Sequence, residues 1–233
     1  MGMKQILVMM VTIVLVGCGE KAAPLPAAHT PENEPEIPQT DQAAEAKAVV
    51  VNIADPIIEE AARFSSGKYE GELTAADVEK PDTLLLNGTK ITTTGLKELI
   101  KFPNLKNLDL SDTQITDEGL KELANLPKLT FLKLGYSKIT DANLKEVAKL
   151  HNLKVLELRH TQITDEGLKE LTELPQLEIL DLTNTKITDA GLKILPKLQK
   201  LEAVLLEENG QITKAAVAEL KKALPPNCTI YWP

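Results

Sequence analysis

A pattern of 24 residues recurs six times between residue 81 and the end of the chain. The copies begin at Pro81, Leu105, Leu129, Leu153, Leu177 and Leu201. A fixed period in this range indicates a solenoid, in which each repeat buries its apolar residues only by stacking against its neighbours. Such stacking creates an extended surface, which is more typical of binding than of catalysis.

The consensus LxxLxLxxTxITDxGLxxLxxLPx gives each recurring position a structural reason. The three leucines of its first half, such as Leu153, Leu156 and Leu158, alternate as in a short strand with one apolar face. The next column is threonine in four copies, Ser137 in one and Asn209 in the last, and it is placed to satisfy backbone groups where the chain leaves the strand. The TD pairs predict helix N-caps with an acidic first turn.

This consensus resembles the leucine-rich repeat, in particular the threonine-containing type of 24 residues found in bacterial lipoproteins and envelope proteins. The preceding segment, ADPIIEEAARFSSGKYEGELTAADVEK, resembles the helical cap of internalin-type bacterial proteins. The resemblance implies an α/β fold, namely a right-handed leucine-rich-repeat solenoid with a small helical N-terminal cap. We expect a shallow arc with a parallel sheet on its concave side and short helices on its convex side. Cys228 is expected in the core of a closing strand.

The N-terminus indicates a targeting segment rather than part of the fold. Lys4 precedes an apolar run over residues 6–16, whose helical rise of about 16 Å is only about half of a bilayer core. The run ends in Leu15-Val16-Gly17-Cys18, which resembles a bacterial lipobox. That resemblance implies cleavage before Cys18 and lipidation of Cys18, and Gly19 after it favours the outer membrane. A plain secretory signal with an incidental cysteine is the alternative.

We therefore expect four segments: a lipoprotein signal peptide at 1–17, a Pro/Ala-rich tether at 18–51, a helical cap at 52–80, and six repeats with a closing strand at 81–233. Five prolines between Glu20 and Thr40 make the tether unable to bury a core. With Cys18 lipidated, Cys228 is left without a partner for an intrachain disulfide. The net charge of −8 argues against binding nucleic acid or anionic lipid by charge.

Two columns of side chains are predicted on the concave face, because stacking places the same position of neighbouring repeats about 4.8 Å apart. One column holds four successive apolar residues, which we expect to be exposed: Phe131, Val155, Ile179 and Ala203. The other holds four charged residues: Asp109, Lys133, Glu157 and Asp181. The first three alternate in sign, and we expect them to form a ladder of exposed ion pairs. The loop side of the strands adds four more polar or aromatic residues: Tyr136, Arg159, His160 and Asn184.

Aromatic residues and arginine often anchor protein interfaces, and this chain has only three Phe and three Tyr. One of each falls in the third repeat, so the middle repeats are predicted to bind a protein or peptide. Ordinary decoration of a sheet is the alternative. The candidate site comprises Phe131, Lys133, Tyr136, Val155, Glu157, Arg159, His160, Ile179, Asp181 and Asn184.

The sequence shows no catalytic constellation, no Gly-rich phosphate loop and no Cys/His spacing typical of a metal site. We therefore expect no enzyme activity, no cofactor and no metal. The prediction is a monomeric, lipid-anchored protein of the bacterial envelope that binds another protein through its concave face. Three alternatives stay open: adhesin-like binding to another cell, inhibition of an envelope enzyme, and a purely structural role in the envelope.

Overall fold

The computed structural model of the chain describes residues 49–232. The predicted signal peptide, Cys18 and all of the predicted tether except its last three residues lie outside the described residues. Contacts group the described residues into one compact unit. Within residues 49–232, no helix combines the length and the apolar composition that crossing a bilayer requires.

The cap contains two helices, α1 (Pro56–Ser66) and α2 (Ala75–Glu79). Asp55 caps α1 by accepting hydrogen bonds from the first backbone amides of the helix. A capping box between Thr74 and Asp77 opens α2. Val51, from the end of the predicted tether, donates its N–H to the carbonyl of Leu73 at 2.8 Å. The last tether residues thus pair with the cap.

Seven parallel strands form one open sheet in chain order. The strands are β1 (Thr83–Leu85), β2 (Asn107–Asp109), β3 (Phe131–Lys133), β4 (Val155–Glu157), β5 (Ile179–Asp181), β6 (Ala203–Leu205) and β7 (Thr229–Tyr231). The helices between them are α3 (Thr93–Lys97), α4 (Asp117–Leu123), α5 (Asp141–Val147), α6 (Asp165–Glu170), α7 (Asp189–Leu192) and α8 (Lys214–Ala223). Short 3-10 turns follow three of these helices: Glu98–Lys101, Leu171–Glu173 and Leu195–Lys197. This arrangement confirms the predicted α/β fold of stacked strand–helix repeats.

One apolar core runs through the whole stack, from Ile53 in the cap to Leu224 in the last repeat. The leucines at the centres of β2 to β5 are fully buried and lie side by side in the sheet: Leu108, Leu132, Leu156 and Leu180. Ile58 of α1 is also fully buried, so the cap closes the first end of the core. Each side chain packs against its copies in the neighbouring repeats, as stacking requires.

The last strand, β7, packs against the other end of the core. Cys228, Ile230 and Trp232 are half-buried against that core, in agreement with the predicted closing strand. Burial, with the negative charge of Glu202, raises the pKa of the Cys228 thiol to about 11. The thiol is therefore protonated at neutral pH.

The hydroxyl column behaves as predicted, because its side chains satisfy backbone carbonyls at the end of each strand. Thr161 donates its hydroxyl to the carbonyl of Leu158 at 2.6 Å, and the equivalent threonines form the same bond. Asn209 in the last copy donates to the carbonyl of Leu182 at 2.8 Å and accepts from the backbone N–H of Thr185 at 2.9 Å. The Asn209 amide thus links two repeats, whereas each threonine hydroxyl bonds a carbonyl of its own repeat.

Aspartates at the starts of three helices bind the next repeat. Asp165 accepts hydrogen bonds from the backbone N–H of Thr188 at 2.9 Å and from its hydroxyl at 2.6 Å. The same two bonds recur at each step of what we call the Asp–Thr ladder: Asp141 to Thr164, Asp165 to Thr188 and Asp189 to Thr213. The sequence predicted the threonines as caps and the aspartates as acidic first-turn residues of their own helices, whereas both also link neighbouring repeats.

The glycine of the GL pair leaves room for the ladder. A Cβ atom at Gly191 would overlap the carboxylate of Asp165, so this glycine is needed for a close approach between repeats. The third repeat has Asn143 at this position instead. Its side-chain oxygen accepts from the backbone N–H of Thr140 at 2.6 Å, and its amide nitrogen donates to Asp117. The asparagine therefore carries the inter-repeat contact itself.

We expect Asp165→Ala to lower the free energy of unfolding by about 1–2 kcal/mol, because it leaves two donors of Thr188 without their acceptor. The matched control is Glu166→Ala, which removes a neighbouring carboxylate that is exposed in its pair with Lys169. The control should change stability by less than about 0.5 kcal/mol. Urea denaturation of both variants checks this, and equal losses would contradict the ladder.

Candidate functional site

The outer sheet face is formed by the first and third residues of the strands, which point away from the leucine core. The strand register places each residue of this face directly beside its equivalent in the next repeat, as the 24-residue period predicted. We call one row the apolar stripe: Phe131, Val155, Ile179 and Ala203. We call the other row the charged column: Asp109, Lys133, Glu157 and Asp181.

The apolar stripe is less accessible than predicted. Val155, Ile179 and Ala203 retain only 8%, 6% and 6% of their surface, and Phe131 is half-buried. The expectation of four exposed apolar residues was therefore wrong for three of them. Neighbouring side chains in a parallel sheet stand about 4.8 Å apart, so each covers the next. Phe131 is the member of the stripe that offers the most surface.

The charged column is buried, which contradicts the predicted ladder of exposed ion pairs. Lys133, Glu157 and Asp181 keep 8%, 3% and 5% of their surface. One ion pair forms, between Lys133 Nζ and Glu157 Oε1 at 3.4 Å. Asp109 instead accepts a hydrogen bond from the backbone N–H of Ser111 at 2.9 Å, and no ion pair joins it to Lys133 among residues 49–232. The column thus holds a single shielded pair.

Burial raises the pKa of Glu157 above its usual range. The positive charges of Lys133 and Arg159 oppose this shift, and the negative charge of Asp181 adds to it. The folded protein therefore binds a proton at Glu157 more readily than the unfolded chain does. The fold thus keeps the Glu157 carboxylate buried on the outer sheet face, where its charged form loses the stabilisation that water provides.

We expect the stability gap between Glu157→Gln and wild type to depend on pH. Because the folded pKa of Glu157 is raised, its contribution to stability is full below the ordinary value of 4.5 and is lost as pH rises through the folded pKa. The free energy of unfolding of Glu157→Gln should therefore increase relative to that of wild type as pH rises through the folded pKa. Urea denaturation from about pH 4 to about pH 8 measures the gap. A gap independent of pH would contradict the assignment, and Glu166→Gln on α6 is the exposed control.

Four of the predicted site residues meet beside the strands, and we call them the turn cluster: Tyr136, Arg159, His160 and Asn184. The rings of Tyr136 and His160 are stacked, with centroids 4.3 Å apart and an angle of 14° between planes. The guanidinium carbon of Arg159 lies 5.4 Å from the centre of the Tyr136 ring. Asn184 Nδ2 and His160 Nδ1 are hydrogen-bonded at 2.9 Å. Three successive repeats therefore build one connected surface.

The turn cluster has an unusual backbone. Tyr136, His160 and Asn184 all have positive φ angles, of 57°, 55° and 50°. The first repeat has Gly88 at this position, with φ 68°. Asparagine and histidine tolerate this conformation better than tyrosine does, so Tyr136 is the strained member, at a cost of about 1 kcal/mol. Sequence reasoning missed this strain, although the glycine in the first copy was a signal for it.

A glycine in the third repeat makes room for Arg159. A Cβ atom at Gly135 would lie 2.9 Å from Arg159 Cγ, so the arginine stem lies against the bare backbone. Other copies have a side chain at this position, such as Ser111 or Thr183. Sequence reasoning also missed Gly135, whose role depends on the neighbouring repeat. The glycine allows Arg159 to reach the Tyr136 ring.

The ten predicted site residues thus separate into two groups. Six lie on the sheet, where the Lys133 ammonium also lies 5.4 Å from the centre of the Phe131 ring. The other four form the turn cluster. In the described part of the chain, no group of three or more His, Cys, Asp or Glu side chains has the geometry to hold a metal ion. Both groups carry aromatic and charged side chains rather than a catalytic arrangement.

Comparisons with known proteins agree with the repeat architecture. A family model of leucine-rich repeats matches residues 103–146 and 151–193. The structure is similar to internalin C2 from Listeria monocytogenes, with 27% identity and a TM-score of 0.52 over 77% of this chain and 93% of that one. It is also similar to the internalin inlF of the same organism, with 26% identity and a TM-score of 0.53 over 76% of this chain. The match covers 55% of the inlF structure.

No curated protein sequence matches the chain. The repeat consensus, the seven-stranded open sheet and the two structural similarities nevertheless agree with one another. The chain therefore contains leucine-rich repeats, and its fold is similar to that of the Listeria internalins.

Proposed function

We propose that the protein is a lipid-anchored component of the bacterial envelope that binds another protein through its outer sheet face and turn cluster. A fold of this type favours protein binding in general, because its stacked repeats present an extended surface. The turn cluster is the observation that carries the choice of surface. It concentrates two aromatic rings and an arginine, which are typical anchors of protein interfaces.

The presence of a tyrosine at residue 136 supports a role in binding. The left-handed backbone there belongs to the repeat, since Asp112 and Glu208 share it at the equivalent position. The Tyr136 side chain is 51% exposed, so the choice of tyrosine is not explained by core packing. Glycine or asparagine would fit this turn at a lower cost, yet the chain has a tyrosine stacked on His160. Binding of a partner offers a physical reason for the tyrosine.

The partner contacts would extend from the turn cluster onto the sheet. Phe131 is half-buried and borders Lys133 and Val155, so it offers an apolar contact beside the charged pair. The buried members of the sheet give this region a rigid floor. A rigid surface loses little conformational entropy on binding.

Capture of the partner tests this proposal. Residues 45–233, which include the whole described unit, serve as bait for crosslinking in the envelope of the source organism. The test variant combines Phe131→Ala, Tyr136→Gly and Arg159→Gln. The control variant replaces three exposed lysines of helices α4, α5 and α6 by alanine: Lys121, Lys145 and Lys169.

We expect wild type and the control variant to capture the same protein, and the test variant to lose it. Equal capture by the test variant, or no specific capture by wild type, would reject the outer sheet face as the binding surface. Circular dichroism of all three proteins establishes that they are folded.

The lipid anchor is proposed from the lipobox-like sequence at Cys18. Mass spectrometry of the protein isolated from membranes should show a lipid-bearing N-terminal cysteine at residue 18. Cys18→Ala should move the protein to the soluble fraction, because a stable anchor needs its acyl chains. An unmodified Cys18, or membrane association that survives the substitution, would reject the anchor but not the binding surface.

A further inference from the structure

The chain has only two arginines, Arg63 and Arg159, and their environments differ. Arg63 is fully used by the cap, since it forms an ion pair with Glu59 at 2.7 Å and donates to the carbonyl of Gly71 at 3.0 Å. The Arg159 side chain makes no hydrogen bond or ion pair with any residue in the range 49–232, and only its backbone carbonyl accepts a bond, from the N–H of Tyr136 at 2.9 Å. Its Nε is buried without an acceptor. A guanidinium has five hydrogen-bond donors in a fixed plane, and those of Arg159 are available to a ligand.

Arg159 is nevertheless held in one place. Its stem lies against Gly135, and its guanidinium lies over the Tyr136 ring, with 5.4 Å between the guanidinium carbon and the ring centre. His160 stacks on the Tyr136 ring and is hydrogen-bonded to Asn184. A guanidinium positioned in this way loses little freedom when it binds a planar anion.

The nearby carboxylates do not neutralise Arg159 at short range. Glu157 is paired with Lys133 at 3.4 Å, and its interaction with Arg159 acts from beyond ion-pair distance. Asp181 accepts from the backbone N–H of Thr183 at 2.9 Å. The negative charge of Glu157 nevertheless acts on Arg159. It disfavours a doubly charged phosphate there more than a singly charged carboxylate.

We infer that Arg159, supported by Tyr136, binds a carboxylate of the partner protein, either an Asp or Glu side chain or a C-terminus. This inference rests on the proposed function and specifies the chemistry of its ligand. Guanidinium and carboxylate match in a planar, bidentate pair, which a lysine cannot form. The group that Arg159 contacts on the partner is therefore negatively charged, even though this chain itself has a net charge of −8.

Nuclear magnetic resonance offers a direct test, because two arginines give only two Nε–Hε signals. Residues 45–233 labelled with ¹⁵N are titrated with phenylacetate, a carboxylate on an apolar ring, and with its neutral amide, phenylacetamide. We expect phenylacetate to shift the Arg159 signal with saturation in the millimolar range, while the Arg63 signal stays in place. Phenylacetamide should bind at least about tenfold more weakly, since it lacks the charge of the bidentate pair.

Three variants sharpen the test. Arg159→Lys keeps the charge but loses the fork, so the Tyr136 ring signals should no longer respond to phenylacetate. Tyr136→Gly keeps the arginine and should weaken phenylacetate several-fold, because the guanidinium loses its support. Glu166→Gln, remote from the cluster, should bind as wild type does. Equal shifts of Arg63 and Arg159, no shift of either, or tighter binding of inorganic phosphate than of phenylacetate would overturn the inference.

The two proposals fail in different ways. Partner capture that survives Arg159→Gln alone but is lost with Phe131→Ala would reject the carboxylate contact and keep the binding surface. Saturable binding of phenylacetate at Arg159, together with no partner capture by wild type, would reject the proposed function and keep the carboxylate site.

Discussion

Replacing Leu156 by alanine should lower the free energy of unfolding by about 2–5 kcal/mol. Leu156 is fully buried at the centre of β4 and lies between Leu132 and Leu180 of the neighbouring strands. Its truncation leaves a cavity that the stack cannot close, because the repeats on both sides fix the strand spacing. Urea denaturation of residues 45–233 measures the loss.

Phe131→Ala is the matched control, since Phe131 belongs to the opposite face of the same sheet. It is half-buried on the outer sheet face and contributes no side chain to the leucine core. We expect a loss of less than about 1 kcal/mol. A small loss for Leu156→Ala, or a larger loss for Phe131→Ala, would show that the two faces of the sheet have been exchanged.

Lys133→Met should be the other strongly destabilising change, with a loss of about 3 kcal/mol at neutral pH. The substitution keeps most of the apolar stem but leaves Glu157, with 3% of its surface exposed, without its cation. A buried carboxylate without a partner is costly, whereas a buried pair replaced by apolar residues is often neutral. The double variant Lys133→Met/Glu157→Leu should therefore recover most of the loss.

The exposed pair of Lys169 and Glu166 on α6 is the control for this prediction. Lys169→Met should change stability by less than about 0.5 kcal/mol, because exposed ion pairs contribute little. Urea denaturation of the single and double variants completes the comparison. Should the double variant be as unstable as Lys133→Met, the loss would come from packing rather than from the unpaired charge.

Much of the fold could be predicted because the repeat fixes local structure and neighbours together. The 24-residue period alone placed Leu132 beside Leu156 and Phe131 beside Val155, and the strand register confirms both pairs. The role of Thr161 followed from the backbone carbonyl that must be satisfied as the chain leaves its strand. These features depend on residues within one repeat or on the same position in the next.

The features that sequence reasoning missed depend on which side chains the neighbouring repeats carry. Asp165 bonds Thr188 and excludes a side chain at Gly191, and no single copy of the consensus shows that contact. The burial of Glu157 was missed for a similar reason. The exposure of Glu157 depends on the neighbouring side chains that cover it, and not only on the face of the sheet to which it belongs. The same applies to Gly135, whose function appears only when Arg159 lies against it.

The Asp–Thr ladder has a consequence for the size of the protein. Each step uses an aspartate and the next threonine, and a glycine three residues after the threonine makes room in two of the steps, at Gly167 and Gly191. Lys214 replaces the aspartate where the series ends. A duplicated copy of residues 153–176 would present the same donors and acceptors at both of its junctions. The array can therefore lengthen by whole repeats without a new kind of contact, and each added strand would widen the sheet by about 4.8 Å.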